Sequence, residues 1–169
     1  ALSAFMKAAE SGLEPDGRLA TINCYKKSSG GYDITFIPMY QGLCELAMRS
    51  GQISNIHADK VCENDDFEWN TGKISHKINF KEPRGKVYAY YCVVTFKDGS
   101  TKTETMSLDE VNQIKARSSS VKFSKSGPWF TDFDEMAKKT VFRRCSKWLP
   151  LSPEQQKAFD FDNEDFSND

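Results

Sequence analysis

Residues 86–107 read KVYAYYCVVTFKDGSTKTETMS. β-branched and aromatic side chains, which suit a pleated surface, crowd this stretch, and Asp98-Gly99 interrupts it with a residue pair that favours a tight hairpin turn. It therefore reads as two antiparallel strands. Toward the N-terminus, DFEWNTGKISHKINF (66–80) repeats the pattern with a turn at Asn70 to Gly72, and QISNIHADKVCEN (52–64) is a further β-rich run. LATINCY (19–25) and YDITFIP (32–38), joined by the Gly/Ser-rich KKSSGG (26–31), make another hairpin.

Helices bracket these strands. ALSAFMKAAES (1–11) is helical with Gly12 as its stop, and LEPDG (13–17) is a turn. Pro38 opens a helix over MYQGLCELAMRSG (39–51), ended by Gly51. Beyond the strands, Ser107 and Glu110 form a Ser-x-x-Glu capping box for a helix through about Arg117. A Ser/Lys-rich loop, SSSVKFSKSGP (118–128), leads to the last helix. The order of helix, antiparallel strands and helices predicts an α+β protein, and there is no internal repeat.

A chain of 169 residues fits one compact domain with a real core. At 38% hydrophobic, 28% charged and 12% aromatic it has the composition of a soluble globular protein. No apolar run reaches the length of a membrane span and no secretory pattern opens the chain, which predicts a cytoplasmic protein. The chain begins without Met inside a helical pattern, which predicts that a segment precedes it in the full protein. The five cysteines (Cys24, Cys44, Cys62, Cys92, Cys145) are odd in number and lack a C-x-x-C pair, as expected of reduced, mostly buried thiols. A zinc site would have to recruit His57 or His76 to scattered thiols, which the ligand spacing disfavours. Neither a phosphate-binding G-x-x-x-x-G-K-[ST] loop nor a G-x-G-x-x-G after a strand occurs, so nothing suggests ATP or a dinucleotide.

The net charge of −1 conceals an uneven distribution. Five of the 24 acidic residues fall in the last ten positions, so the rest carries 23 basic and 19 acidic residues. Between Lys115 and Trp148 nine bases (Lys115, Arg117, Lys122, Lys125, Lys138, Lys139, Arg143, Arg144, Lys147) face three acids (Asp132, Asp134, Glu135). A polyanionic partner suits that excess.

Most of these bases lie in GPWFTDFDEMAKKTVFRRCSKWLP (127–150), where Asp132 with Glu135 predicts an N-terminal cap and Pro150 a stop. At about 100° per residue, Phe133, Met136, Ala137, Thr140, Val141 and Trp148 gather on one face for burial. Lys139, Arg143 and Lys147 are spaced i, i+4, i+8 and form a cationic stripe along its flank. Arg144 projects toward the apolar side, where it needs a carboxylate, carbonyls or a phosphate. The stripe is either a solvated face with Arg144 a paired core residue, or a phosphate-binding row. Few acidic i±4 neighbours offset its repulsion, and Lys122, Lys125 and Trp129 just upstream add the mixture of bases with an aromatic that single-strand binders use.

These residues carry a resemblance. SGPWFTDFDEMAKKTVFRRCSKWLPLS (126–152) resembles the signature segment of the RecT family of phage single-strand annealing proteins, and IPMYQGLCELAMRSGQI (37–53) and GLEPDG (12–17) are similar to two more of its elements, in order. The resemblance implies an ATP-independent, cofactor-free, non-enzymatic protein that coats single-stranded DNA, anneals a complementary strand and assembles into rings or helical filaments. It also implies a curved antiparallel β-sheet packed against a long C-terminal helix, with a basic groove crossing neighbouring subunits. The setting it implies is recombination in the cytoplasm of a bacterial host, for a phage or prophage protein, with a partner exonuclease and the host single-strand binding protein. The site it implies takes Trp129, Lys138, Lys139, Thr140, Arg143, Arg144 and Lys147 from the signature segment. Tyr40, Gln41 and Arg49 come from the central one. Lys115, Arg117, Lys122 and Lys125 join them on charge. Tyr40 is either a stacking or a core residue, Trp129 reads as a packing anchor, and Gln41 and Arg49 suit phosphate or sugar contacts.

Two other functions stay open on sequence. One is a single-strand coat without annealing activity; the other is a metal-dependent nuclease using Glu63, Asp65, Asp66 and Glu68 of CENDDFEW (62–69). Residues 1–157 are taken as the annealing domain and AFDFDNEDFSND (158–169) as an acidic tail, read either as a disordered solubilising end or as a competitor for the basic groove.

Overall fold

The computed structural model describes residues 2–26, 30–118, 121–122 and 127–167, with side chains at all of these except 25, 26 and 162–167. In order, the elements are α1 (Leu2–Ser11), β1 (Ala20–Lys26), β2 (Tyr32–Pro38), α2 (Tyr40–Met48), β3 (Ile53–Cys62), β4 (Asp66–Asn70), β5 (Lys73–Lys77), β6 (Val87–Phe96), β7 (Thr101–Ser107), α3 (Leu108–Arg117), α4 (Pro128–Thr131), α5 (Phe133–Ser146) and α6 (Pro153–Ser167). The class is α+β with antiparallel pairing, as expected. The chain forms two compact units, residues 1–50 with 150–169, and residues 51–149.

The first unit joins both ends of the chain. α1 stops at Gly12, whose φ of 62° suits glycine and whose N–H returns to the Ala8 carbonyl at 3.1 Å. Asp16 then turns the chain by accepting from the backbone N–H groups of Arg18 and Leu19 at 2.8 and 2.7 Å. β1 and β2 pair from Ala20↔Pro38 onward. Pro38 closes β2 rather than opening a helix: α2 starts at Tyr40 with Met39 as its N-cap in an extended conformation. Proline fits a strand end because no further ladder N–H is required there. Gly42 lets α2 approach the chain before β1, since a Cβ there would lie 2.0 Å from the Leu19 carbonyl oxygen. α6 begins with a reciprocal cap, Ser152 N to Gln155 Oε1 at 2.8 Å and Gln155 N to Ser152 Oγ at 3.2 Å, with Pro153 at its first position. It packs on α1, α2 and β2 and buries Ala158 and Phe159. The segment set aside as a tail is thus helical as far as Ser167, and its first two residues lie in a core.

The second unit has a central sheet of order β3-β6-β7 and a separate β4-β5 ribbon. Both expected hairpins are present, the ribbon turning through Thr71 (φ 48°) and Gly72 (φ 79°). Successive residues of β6 point to opposite faces. Tyr90 faces α5, donating its hydroxyl to Asp134 Oδ1 at 2.6 Å. Tyr91 faces the ribbon, its ring 5.4 Å from those of Phe67 and His76. Val61, Tyr90, Cys92, Val94, Met106, Val141, Phe142 and Cys145 are buried in this unit. The predicted capping box of α3 is complete, Ser107 N to Glu110 Oε2 and Glu110 N to Ser107 Oγ. The helix against the sheet, α5, has 14 residues, an ordinary length rather than a long one. The cap predicted at Asp132 is not made: its side chain accepts from Thr131 Oγ1 and leaves the helix N–H groups alone.

Candidate nucleic-acid interface

α5 buries Ala137, Lys139, Thr140, Val141, Phe142, Cys145 and Ser146. At about 100° per residue these span roughly 260° of the circumference, far more than the apolar stripe visible in the sequence, because α4 and three strands all pack on this helix. That breadth corrects the predicted stripe. Lys139 is only 4% exposed, Arg143 is half-buried, and Lys147, at the C-cap, is exposed. Both Lys139 and Arg143 are engaged by neighbouring groups. Trp148, assigned to the buried face, is 69% exposed, since the helix ends at Ser146 and the periodicity no longer applies.

Arg144 also departs from expectation. Its side chain is 45% exposed, donates to Glu110 Oε1 at 2.8 Å and lies 3.5 Å from Glu104 Oε1. Glu104 stands on the edge strand β7 and Glu110 in the first turn of α3, so Arg144 reaches both elements from α5. Its guanidinium holds the Glu110 carboxyl below the usual carboxylate range, helped by the capping N–H of Ser107. Arg144 is therefore a half-exposed tie between α5 and the start of α3. Lys138 pairs with Glu135 one turn earlier. Thr140 is buried and donates its hydroxyl to the Met136 carbonyl at 2.7 Å.

Trp129 is buried, as a packing anchor should be, and its Nε1 has no hydrogen-bond partner among the described residues. Its ring lies 5.8 Å from that of Phe133. The next residue, Phe130, is 49% exposed, and the Lys115 ammonium stands over it at 4.8 Å from the ring centroid and 5.1 Å from that of Phe133. Lys115, Phe130 and Phe133 thus bring together three elements that the sequence reading treated separately. Arg117 is exposed at the end of α3; Lys122 is exposed and engaged by a neighbour; Lys125 lies outside the described residues. Below this cluster Asp134 takes both Tyr90 and Lys60 (Nζ to Oδ2, 2.6 Å). Burial opposes its ionisation, but these two donors outweigh burial and its carboxyl titrates below the ordinary range.

Tyr40, Gln41 and Arg49 belong to the other unit. Tyr40 is half-buried and Gln41 exposed. Arg49 is already occupied, with Nη2 on Glu45 Oε1 at 2.6 Å and on the Gly12 carbonyl at 3.1 Å. Burial pushes the nearby Cys44 thiol up to about 12, so it is unreactive at neutral pH.

The four acids of CENDDFEW do not converge. Asp65 accepts from Arg84, Cys62 N and His76, Glu63 accepts from Lys86 N, and Asp66 pairs with Lys77 across the ribbon. Among the described residues no cluster of His, Cys, Asp or Glu is arranged to hold a metal ion.

The model of the RecT family matches residues 1–169. The chain belongs to the RecT family. It is 34% identical to the protein RecT of Escherichia coli (strain K12), over 97% of this chain and 62% of that protein. It is also 35% identical to the protein YqaK of Bacillus subtilis (strain 168), over 70% of this chain and 41% of that one. The chain thus spans less than two thirds of either relative. The RecT family match covers both units, so α2 and α5 with their candidate residues both fall inside it. No helix of the described residues is long and apolar enough to cross a membrane.

Proposed function

We propose that this chain binds single-stranded DNA without sequence selection and anneals complementary strands without ATP, working as a homo-oligomer in recombination. Family membership over the whole chain carries this reading, and the surplus of bases between Lys115 and Trp148 supports it. Annealing has a simple physical requirement: two phosphate backbones must be neutralised while base edges stay free, after which pairing supplies the driving force. Exposed Lys147 and Arg117, with Lys115 at its aromatic pair, offer cations for that task.

The test mixes dye-labelled complementary oligonucleotides with the protein, with and without chelator and without nucleotide. Accelerated duplex formation that resists chelator supports the proposal. Binding without acceleration would leave a single-strand coat, and chelator-sensitive shortening of the strands would show a nuclease.

A further inference from the structure

We propose that Phe130, held beside Lys115, is a stacking platform for an unpaired nucleobase; the inference rests on the proposed single-strand binding and assigns one of its contacts. Gly127, at φ 110°, and Pro128 set the entry to α4. One residue then turns Trp129 into the core, and the next, about 100° further round, carries Phe130 out. Phe130 is thus left 49% exposed beside a Trp129 that is buried. Here its ring is fixed by an ammonium over one face, a contact that pre-orders both side chains before any ligand arrives. The ring is half exposed, and we assign its free area to a base, with Lys115 and exposed Arg117, two residues on in α3, meeting the phosphates beside it. A half-exposed apolar ring backed by a cation fits a single strand and does not fit a duplex, whose bases are already stacked.

The experiment compares Phe130→Leu, which keeps apolar bulk, and Phe130→Ala with the unmodified chain. Each is titrated with a mixed-sequence oligonucleotide, with the same backbone made abasic throughout, and with duplex. Both variants should lose about 5- to 150-fold in affinity for the normal strand, the equivalent of about 1–3 kcal/mol per stacked base. They should bind the abasic strand and the duplex as the unmodified chain does, with an unchanged salt slope, because no phosphate contact is removed. Equal affinity of Phe130→Leu and the unmodified chain for the normal strand overturns the stacking role while leaving single-strand binding intact. Failure of the unmodified chain to bind any single strand overturns the functional reading itself. A loss that is the same on abasic strand and duplex would assign Phe130 to packing and overturn the proposal.

Discussion

Asp65 shows how much one side chain can organise. It is 1% exposed, yet it accepts from Arg84 Nε at 3.0 Å, Arg84 Nη2 at 2.6 Å, Cys62 N at 2.8 Å and His76 Nε2 at 3.1 Å. A carboxylate can only accept, so His76 Nε2 donates to it, and the Tyr91 hydroxyl lies 3.0 Å from Nδ1 on the other side of the ring. The Arg84 guanidinium holds the Asp65 carboxyl far below the usual range. Because the folded value is depressed, the stabilisation is present above the unfolded carboxylate value of about 3.9 and fades as pH falls toward the folded one. Asp65→Asn should therefore cost about 3–5 kcal/mol at neutral pH, with the gap from the unmodified chain narrowing below about pH 4. Urea melts of both proteins at pH 7 and pH 3 check this, and a gap independent of pH would contradict it. Arg144 is the contrasting case: half-exposed on two carboxylates, it contributes at most about 1 kcal/mol per pair, not the cost of a buried charge.

At the scale of elements, α6 is the segment whose role changes most between sequence and structure. Its acids suggest a solvated end, but Ala158 and Phe159 are buried and Lys7 of α1 stands 5.0 Å from the Phe161 centroid. Its entry is also anchored, Gln155 Nε2 reaching the Leu46 carbonyl at 2.8 Å. Ending the chain at Lys157 should consequently destabilise the unit that holds α1 and α2, by about the 3–5 kcal/mol of a buried Phe. Hydrogen exchange at α1, β1 and α2 should accelerate in the shortened chain while β6 keeps its protection. Unchanged exchange at α1 and α2 would return these residues to the role of a passive tail. The start of α6 was legible, since Ser-Pro-Glu-Gln is a capping box with proline at the first helical position.

For the whole molecule, the question is which cations meet DNA and which hold the fold. Lys147→Ala, at an exposed C-cap, should reduce the log–log salt slope of single-strand binding by about 0.7 and change stability by no more than about 0.5 kcal/mol. Lys139→Ala removes a side chain buried in α5 and should lower the melting temperature instead. Titrations at three salt concentrations beside thermal melts separate the two, and identical behaviour would restore the uniform stripe. The α+β class, three hairpins, the α3 cap and the stop at Gly12 were all readable in the sequence, because turn pairs, capping boxes and left-handed glycines act over a few residues of one chain. The family too was visible in ordered local motifs. The exposure of each base was not. Periodicity reports where apolar residues lie around a helix, while burial depends on which other elements close on it; α4 and three strands pack on α5, in which Lys139 is buried, β7 and α3 each give Arg144 a carboxylate, and the turn after Gly127 hides Trp129 and presents Phe130. Those contacts join residues far apart in sequence, so only the tertiary structure decides them.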